Sequence, residues 1–174
     1  NPASPILVDI TVNGRRVKAV AQVTKQSFTY VLDRVTGEPV WPIEERPVPR
    51  GDVPGETYSP TQPIPTKPPV YARNFANIPD DVIDFTPELR AQGLRQLERY
   101  KPGPLFNPPI LGNVNGLLGA LHVGNTGGGT NWPGGGYDPE THIAYMPASN
   151  SGIGAHSLAT PPQGFSDIRY VRGV

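Results

Sequence analysis

The chain has 174 residues, enough for one modest domain, and its 15 basic and 15 acidic side chains give a formal net charge of zero. This balance argues against a polyanion-binding protein such as a nucleic-acid binder, and against a basic patch for a membrane surface. The absence of cysteine excludes disulfides, zinc fingers and cysteine nucleophiles, while the 20 glycines and 23 prolines interrupt apolar runs as they do in an all-β fold with many turns.

The first predicted element is a β-hairpin over residues 5–23. The pair Asn13-Gly14 is the strongest short-range signal for a tight hairpin turn. Apolar residues occupy every second position on both sides of that pair, as in half-buried strands: Ile6, Val8, Ile10, Val17, Ala19 and Ala21.

The next stretch, residues 24–41, predicts a strand, a turn and a second strand. Its apolar residues alternate at Phe28, Tyr30 and Leu32. The turn is predicted at 33–37, where an aspartate can bond its own backbone and a glycine can adopt a positive φ. Together with the hairpin this gives three or four antiparallel strands in about 40 residues, the size of one β-propeller blade. Lys25 stands where the second strand pair begins.

Residues 42–116 are interpreted as an insertion. Prolines follow one another closely over 42–79, and proline cannot donate to a sheet ladder. That part is therefore predicted to be a long ordered connection and not a strand. A helix is predicted near 86–100, with Thr86 as its N-cap and Pro87 in its first turn.

Residues 117–174 are interpreted as a second blade-like unit with loops. A short buried strand is predicted at 117–123, whereas 151–174 is predicted to be mostly loop, with a last strand at 167–171. The glycines at 127–129 lack the lysine and the following helix of a phosphate loop. A close approach of the backbone to a flat ligand, or a plain loop, are both consistent with them.

The pattern of residues 136–142 repeats that of residues 31–37, and a strand is predicted to follow at 143–146. Two blade-like units cannot close a propeller, which needs four or more blades. The chain is therefore expected to be a segment of a larger propeller or one chain of a split one, with a blade at 1–41, the insertion at 42–116 and the second unit at 117–174.

Several runs of this sequence are distinctive: NPASPILVDITVNGRRVKAVAQVTKQSFTYVLDRVTGEPVWPIEERPVP, SPTQP, PELR, GPLFNPP and NWPGGGYDP. In combination they resemble the quinoprotein dehydrogenases that use pyrroloquinoline quinone (PQQ), in particular the membrane-linked glucose, polyol and alcohol dehydrogenases of bacteria. LDRVTGEPVW also matches the tryptophan-docking repeat of that family. The resemblance implies that the fold is all-β, a segment of an eight-bladed β-propeller with a long Pro-rich and partly helical insertion.

The resemblance also implies an oxidation of an alcohol or sugar hydroxyl to a carbonyl, with PQQ as the acceptor of the hydride and calcium as a second cofactor. Electrons would pass to a membrane quinone or a cytochrome, in the periplasm, and any membrane association would come through a segment outside this chain. The family's catalytic aspartate and calcium ligands are expected outside this chain as well. The isolated chain is therefore expected to be inactive, and no metal ligand is assigned within it.

The candidate site residues follow from the same resemblance. Lys25 falls where the family has a lysine that contacts the quinone carbonyls, and an ammonium there would stabilise negative charge on the cofactor. Asn131 and Trp132 fall in a segment that returns to the cofactor pocket, and Asn150 could supply a hydrogen bond. The alternatives are a solvated surface lysine at position 25 and a Trp132 that packs between blades.

The three histidines, His122, His142 and His156, have no metal-ligand spacing in the sequence and are not assigned to a metal site. A different class of function also stays open: a propeller-derived structural or binding module that keeps the docking repeat without the chemistry. The remaining blades, in the same or a partner chain, are the expected partners under either interpretation.

Overall fold

A computed structural model describes residues 2–123, 127–149 and 152–173. Its elements in chain order are β1 (Ile6–Val12), β2 (Arg15–Val23), β3 (Thr29–Asp33), β4 (Ile43–Pro47), β5 (Thr61–Pro65), α1 (Pro87–Leu97), β6 (Tyr100–Lys101), β7 (Ile110–Leu111), β8 (Gly119–Val123), β9 (Gly136–Asp138), β10 (Ile143–Tyr145), β11 (Ile153–Ala159) and β12 (Val171–Arg172). The described residues fall into two compact units: unit 1 holds 2–47, 61–74 and 127–149, and unit 2 holds 48–60, 75–123 and 152–173.

The predicted hairpin is confirmed as the first two strands of a three-stranded antiparallel sheet in unit 1, in the order β1-β2-β3. Asn13 and Gly14 both have positive φ, at 50° and 77°, as a two-residue turn matched to the strand twist requires. The alternating apolar residues lie on one face of this sheet and form its core: Ala3, Ile6, Val8, Val17, Ala19, Ala21, Val23 and Val31.

The strand predicted after the 33–37 turn is only rudimentary. Leu32 and Pro39 form an isolated bridge, and the Val40 nitrogen donates to the Val31 oxygen at 2.9 Å. Prolines at 39 and 42 explain why the pairing stops, since neither can donate to the ladder.

The prediction that residues 42–79 contain no strand was wrong. Strands β4 and β5 pair antiparallel over five residues each, with Ile43 opposite Pro65 and Glu45 opposite Pro63. The prolines are tolerated because both strands of a two-stranded ribbon are edges, and an edge strand has one side without ladder bonds.

Two turns of unit 1 share one backbone design, as the sequence pattern predicts. Asp33 Oδ1 accepts hydrogen bonds from the nitrogens two and three residues later, at 2.8 and 3.3 Å. Asp138 Oδ1 does the same, at 2.9 and 3.5 Å. The residue that ends each turn has positive φ, Gly37 at 81° and His142 at 57°. Strands β9 and β10 pair antiparallel on either side of the second turn.

Unit 2 is built on a mixed sheet in the order β12-β11-β8-β6, with β7 also pairing with β11. The short buried strand predicted at 117–123 is confirmed as β8. The prediction that 151–174 is mostly loop holds for the described residues 152–173, most of which lie outside strands, but it missed β11, which pairs with β8 over four residues. The last strand is β12 and not 167–171. The Ser157 side chain of β11 is buried where Gly112 and Gly173 approach it, so close backbone packing replaces the bulky apolar residues that signal a strand.

The helix begins as predicted. Thr86 Oγ1 accepts a hydrogen bond from the Leu89 nitrogen at 3.2 Å, and Pro87 occupies the first turn. It ends at Leu97, three residues before the predicted 100, since the chain enters β6 at Tyr100. No residue of α1 is buried.

The all-β prediction agrees with a chain whose regular secondary structure is mostly strand, with one short helix, and every sheet seen in the two described units is open. Among the residues that the structure describes, no helix has the length and apolar character that crossing a membrane requires.

Candidate functional site

Lys25 lies on the tight turn that joins β2 to β3 in unit 1. The Ser27 nitrogen donates to the Thr24 oxygen at 3.1 Å, and the Phe28 nitrogen donates to Thr24 Oγ1 at 3.1 Å. Thr24 and Ser27 are buried, whereas Lys25 is partly exposed. The Thr-Lys-Gln-Ser run therefore folds into a turn because Thr24 satisfies two backbone donors, and Lys25 sits on the turn and not in a strand.

Ser27 makes this turn energetically unfavourable in two ways. Its φ is 61°, in the left-handed region where a residue with a Cβ costs about 1–2 kcal/mol. Its Oγ is buried without a hydrogen-bond partner among the described residues, which costs about 1–3 kcal/mol. Strained backbone and unsatisfied polar groups of this kind concentrate at functional sites. The structure of the turn therefore supports it as a candidate functional site more strongly than its sequence alone does.

A glycine-rich loop lies directly against the Lys25 turn. The Gly129 nitrogen donates to the Lys25 oxygen at 2.6 Å. A Cβ on Gly128 would collide with the Lys25 Cβ and would lie 2.8 Å from its oxygen, and a Cβ on Gly129 would collide with Ser27 Oγ. Gly128 also has a φ of 70°. The two glycines therefore let one backbone approach another, and no side chain from either position covers Lys25.

Asn131 and Trp132 follow on the same loop. Asn131 Nδ2 donates to the Gly127 oxygen at 3.2 Å, and Asn131 Oδ1 accepts from the Trp132 nitrogen at 2.8 Å. The Asn131 amide thus shapes the loop and keeps one N–H and one lone pair for another partner. The Trp132 side chain is 74% exposed, which leaves its indole ring available. Asn150 lies outside the described residues.

The two aspartates of this region are already engaged. Asp9 Oδ1 lies 3.1 Å from an Arg34 nitrogen, in an ion pair that is half exposed. Asp33 Oδ1 accepts hydrogen bonds from the Val35 and Thr36 nitrogens of its own turn. Neither carboxylate is therefore placed as a general base beside Lys25, and the assignment of that role to a residue outside this chain is unchanged.

Unit 2 contains a histidine pair that sequence spacing does not reveal. The rings of His122 on β8 and His156 on β11 have centroids 4.7 Å apart and planes at 65°. Burial, then the neighbouring His156, lowers the pKa of His122; burial, then Arg172, lowers the pKa of His156. The pair is detectable only once β8 and β11 are known to be adjacent. No group of three or more His, Asp or Glu side chains able to hold a metal occurs within 2–123, 127–149 and 152–173.

Comparison with known proteins matches residues 1–165 to the family model described as PQQ, glucose/ethanol/alcohol dehydrogenase, β-propeller domain. Curated relatives agree with that match. The chain is 48% identical over 63 residues to a quinoprotein glucose dehydrogenase of Escherichia coli strain K12, an alignment that covers 36% of this chain and 8% of the relative.

Two longer alignments cover most of the chain. It is 32% identical over 136 residues to the glycerol dehydrogenase large subunit of Gluconobacter oxydans strain 621H, covering 75% of this chain and 17% of the relative. It is 33% identical over 157 residues to quinoprotein glucose dehydrogenase A of Acinetobacter calcoaceticus, covering 83% of this chain and 18% of the relative. The chain thus spans less than a fifth of the length of these relatives. No solved structure gives a significant match.

Proposed function

Since this chain belongs to the β-propeller family of PQQ-dependent glucose, ethanol and alcohol dehydrogenases, we propose that it forms part of the PQQ site of such an enzyme. The reaction would be the oxidation of an alcohol or sugar hydroxyl to a carbonyl. One observation supports this role above the others: a partly exposed lysine stands on a strained, buried turn, against two glycines that carry no side chain over it.

The residues present fit a flat, anionic quinone. Lys25 offers an ammonium, and the adjoining backbone at Gly128 and Gly129 has room for nothing larger than hydrogen on its side facing the turn. Trp132 offers an exposed aromatic face. Lys25 would hold the quinone oxygens, Trp132 would lie against the rings or at the entrance, and Asn131 would use its remaining N–H. Asn150 is proposed as a further hydrogen-bond donor.

Bound PQQ would be the acceptor of the two electrons that the oxidation releases. The contribution of Lys25 is a fixed positive charge near the atoms where negative charge develops. Fixed charges stabilise a transition state because they need no reorganisation during the reaction, and removing one such group typically lowers kcat by about 10²–10³-fold. The hydrogen bonds that hold the backbone of the Lys25 turn would keep this charge in position.

The proposal assigns the remaining chemistry to residues outside this chain. The base that takes the hydroxyl proton and the calcium ligands would come from there, as would the other blades of an eight-bladed propeller. A periplasmic location and a membrane quinone or cytochrome as electron acceptor are parts of the same proposal. Two curated relatives, quinate dehydrogenases of Acinetobacter baylyi and Xanthomonas campestris, carry the word quinone in their names.

The test compares Lys25→Ala with Lys18→Ala, a matched change at an exposed lysine of β2. In the assembled enzyme with calcium, PQQ is expected to raise the melting temperature of the parent protein and of Lys18→Ala by an amount that grows with the logarithm of the PQQ concentration once the site is saturated. Lys25→Ala is expected to bind PQQ at least about tenfold more weakly and to lose about 10²–10³-fold in kcat, with its melting temperature without PQQ nearly unchanged.

Equal PQQ affinity and equal turnover in the two variants would show that Lys25 has no role in the site. A parent protein, supplied with the missing blades, that gains no stability from PQQ would favour the alternative function, a structural or binding module derived from the propeller.

A further inference from the structure

The Pro-rich segment returns to the Lys25 turn through residues 71–74 of unit 1. The Tyr71 hydroxyl lies 3.1 Å from the Thr24 oxygen, and Asn74 Nδ2 donates to the Gln26 oxygen at 2.8 Å. The Tyr71 nitrogen donates to the Ser27 oxygen at 3.3 Å. This segment therefore binds the carbonyl before Lys25 and the two carbonyls after it.

The carbonyl of Lys25 itself is held by the Gly129 nitrogen from the opposite segment of chain. All four consecutive carbonyls of the turn thus accept hydrogen bonds from groups outside it. Because each peptide unit is planar, holding the carbonyls on both sides of Lys25 fixes the two peptide planes that meet at its Cα. The direction in which the Lys25 side chain leaves the backbone is then set.

The Tyr71 hydroxyl is the most constrained member of this clamp. Its oxygen also lies 2.8 Å from Thr130 Oγ1, and Thr130 Oγ1 donates to the Pro147 oxygen at 2.5 Å. Thr130 has only one hydroxyl proton, which the short bond to Pro147 uses, so the single Tyr71 proton is shared between the Thr24 oxygen and Thr130 Oγ1. The Tyr71 ring packs against the core of unit 1, which fixes the position of that hydroxyl.

We propose that Tyr71 is a positioning residue for Lys25. The Thr24 oxygen accepts hydrogen bonds from the Ser27 nitrogen at 3.1 Å, the Thr130 nitrogen at 3.4 Å and the Tyr71 hydroxyl at 3.1 Å. The Tyr71 hydroxyl is the donor that ties the peptide plane before Lys25 to the 71–74 segment, and so it helps to fix where the ammonium points. This inference rests on the role proposed above for Lys25. A rotation of about 15° at Cα moves an ammonium about 6 Å away by roughly 1.5 Å, which exceeds the tolerance of about 0.5 Å for a preorganised group. A misplacement of about 1 Å can lower a rate by about 100-fold.

The test is a double-mutant cycle of Tyr71→Phe and Lys25→Ala, with kcat and PQQ affinity measured in the assembled enzyme. Tyr71→Phe keeps the ring and removes only the hydroxyl. It is expected to lower kcat by about tenfold and PQQ affinity by a few-fold. In the Lys25→Ala background the same change is expected to have less than about a twofold effect, because a residue that acts only through Lys25 has nothing left to position.

Tyr137→Phe is the matched control. The Tyr137 ring packs against the same core, and its hydroxyl bonds to the Asp9 oxygen at 3.1 Å and to His142 Nδ1 at 2.8 Å, not to a carbonyl of the Lys25 turn. It is expected to leave kcat and PQQ affinity unchanged. Effects that add in the double mutant, or a Tyr71→Phe variant that behaves like Tyr137→Phe, would overturn the inference. A Lys25→Ala variant with full activity would overturn the role proposed for Lys25 and the role of Tyr71 with it.

Hydrogen exchange without cofactor gives an independent readout. Tyr71→Phe is expected to speed exchange of the Ser27 and Gly129 amides by about tenfold, since both donate within the clamped turn, and to leave the β1 and β2 amides unchanged. Unchanged exchange at both amides would contradict the clamp itself, whatever Lys25 binds.

Discussion

Two buried hydroxyls on the Lys25 turn should have opposite effects on stability when they are removed. Ser27 Oγ is buried and has no hydrogen-bond partner among the described residues, so Ser27→Ala removes a desolvation cost of about 1–3 kcal/mol. The change also forfeits dispersion contacts worth roughly 0.5–1 kcal/mol. The positive φ is unaffected, because alanine also carries a Cβ. The net expectation is a gain of about 1 kcal/mol in the free energy of unfolding.

Thr24→Val is the matched change, next to Lys25 on the same turn. It preserves side-chain volume but removes the oxygen that accepts from the Phe28 nitrogen at 3.1 Å. Leaving a buried donor without its acceptor costs about 1–3 kcal/mol, so this variant is expected to lose about 2 kcal/mol.

Urea unfolding followed by tryptophan fluorescence measures both changes, since Trp41 and Trp132 both lie in unit 1. With a slope of about 2 kcal/mol per molar, Ser27→Ala should raise the midpoint by about 0.5 M and Thr24→Val should lower it by about 1 M, at constant slope. A Ser27→Ala midpoint that falls as far as that of Thr24→Val would refute the reasoning, because it would show that Ser27 Oγ makes a stabilising bond.

Two further predictions concern unit 2. The pKa values of His122 and His156 are lowered in the folded state, so the folded chain binds fewer protons than the unfolded chain below about pH 6.5. The stability that these neutral histidines contribute above that pH is therefore lost as the pH falls, and His122→Gln should flatten the decline in stability between pH 7.5 and 5. Far-UV circular dichroism in urea measures this decline, and a variant that declines as steeply as the parent protein would contradict the prediction. Thr86→Ala removes the cap of α1 and should cost about 1 kcal/mol of local helix stability. Because α1 buries none of its residues, hydrogen exchange at Leu89 should rise about fivefold while the global unfolding midpoint hardly moves, and unchanged exchange would contradict the role of the cap.

The parts of the fold that depend on local chemistry were predictable from the sequence. Asn13-Gly14 specifies its own turn, and Thr86 specifies the start of α1. The strands that sequence patterns missed depend on partners instead. Strand β11 has a weak apolar alternation and exists because β8 lies beside it and Gly112 and Gly173 leave room for Ser157. Strands β4 and β5 were hidden by prolines that an isolated ribbon tolerates.

The candidate site also has one part that the sequence indicated and another that it did not. The family resemblance pointed to Lys25, Asn131 and Trp132, but it did not indicate that the 127–129 backbone touches the Lys25 turn. The conformation of Ser27 and the hydroxyl of Tyr71 were not predicted either, because a positive φ at serine has no sequence signal and Tyr71 lies within the Pro-rich segment that carried no strand pattern. Contacts between distant parts of the chain had to be seen in three dimensions.

The closeness of the Gly128 and Gly129 backbone to Lys25 restricts how this site can diversify. Every amino acid other than glycine introduces a Cβ, and at these two positions that atom collides with the turn. A lineage that keeps the conformation of this turn therefore keeps glycine at 128 and 129. Under the proposed function, changes in what the site accepts would arise at neighbours with room to vary, such as Trp132, whose ring is exposed on the same loop.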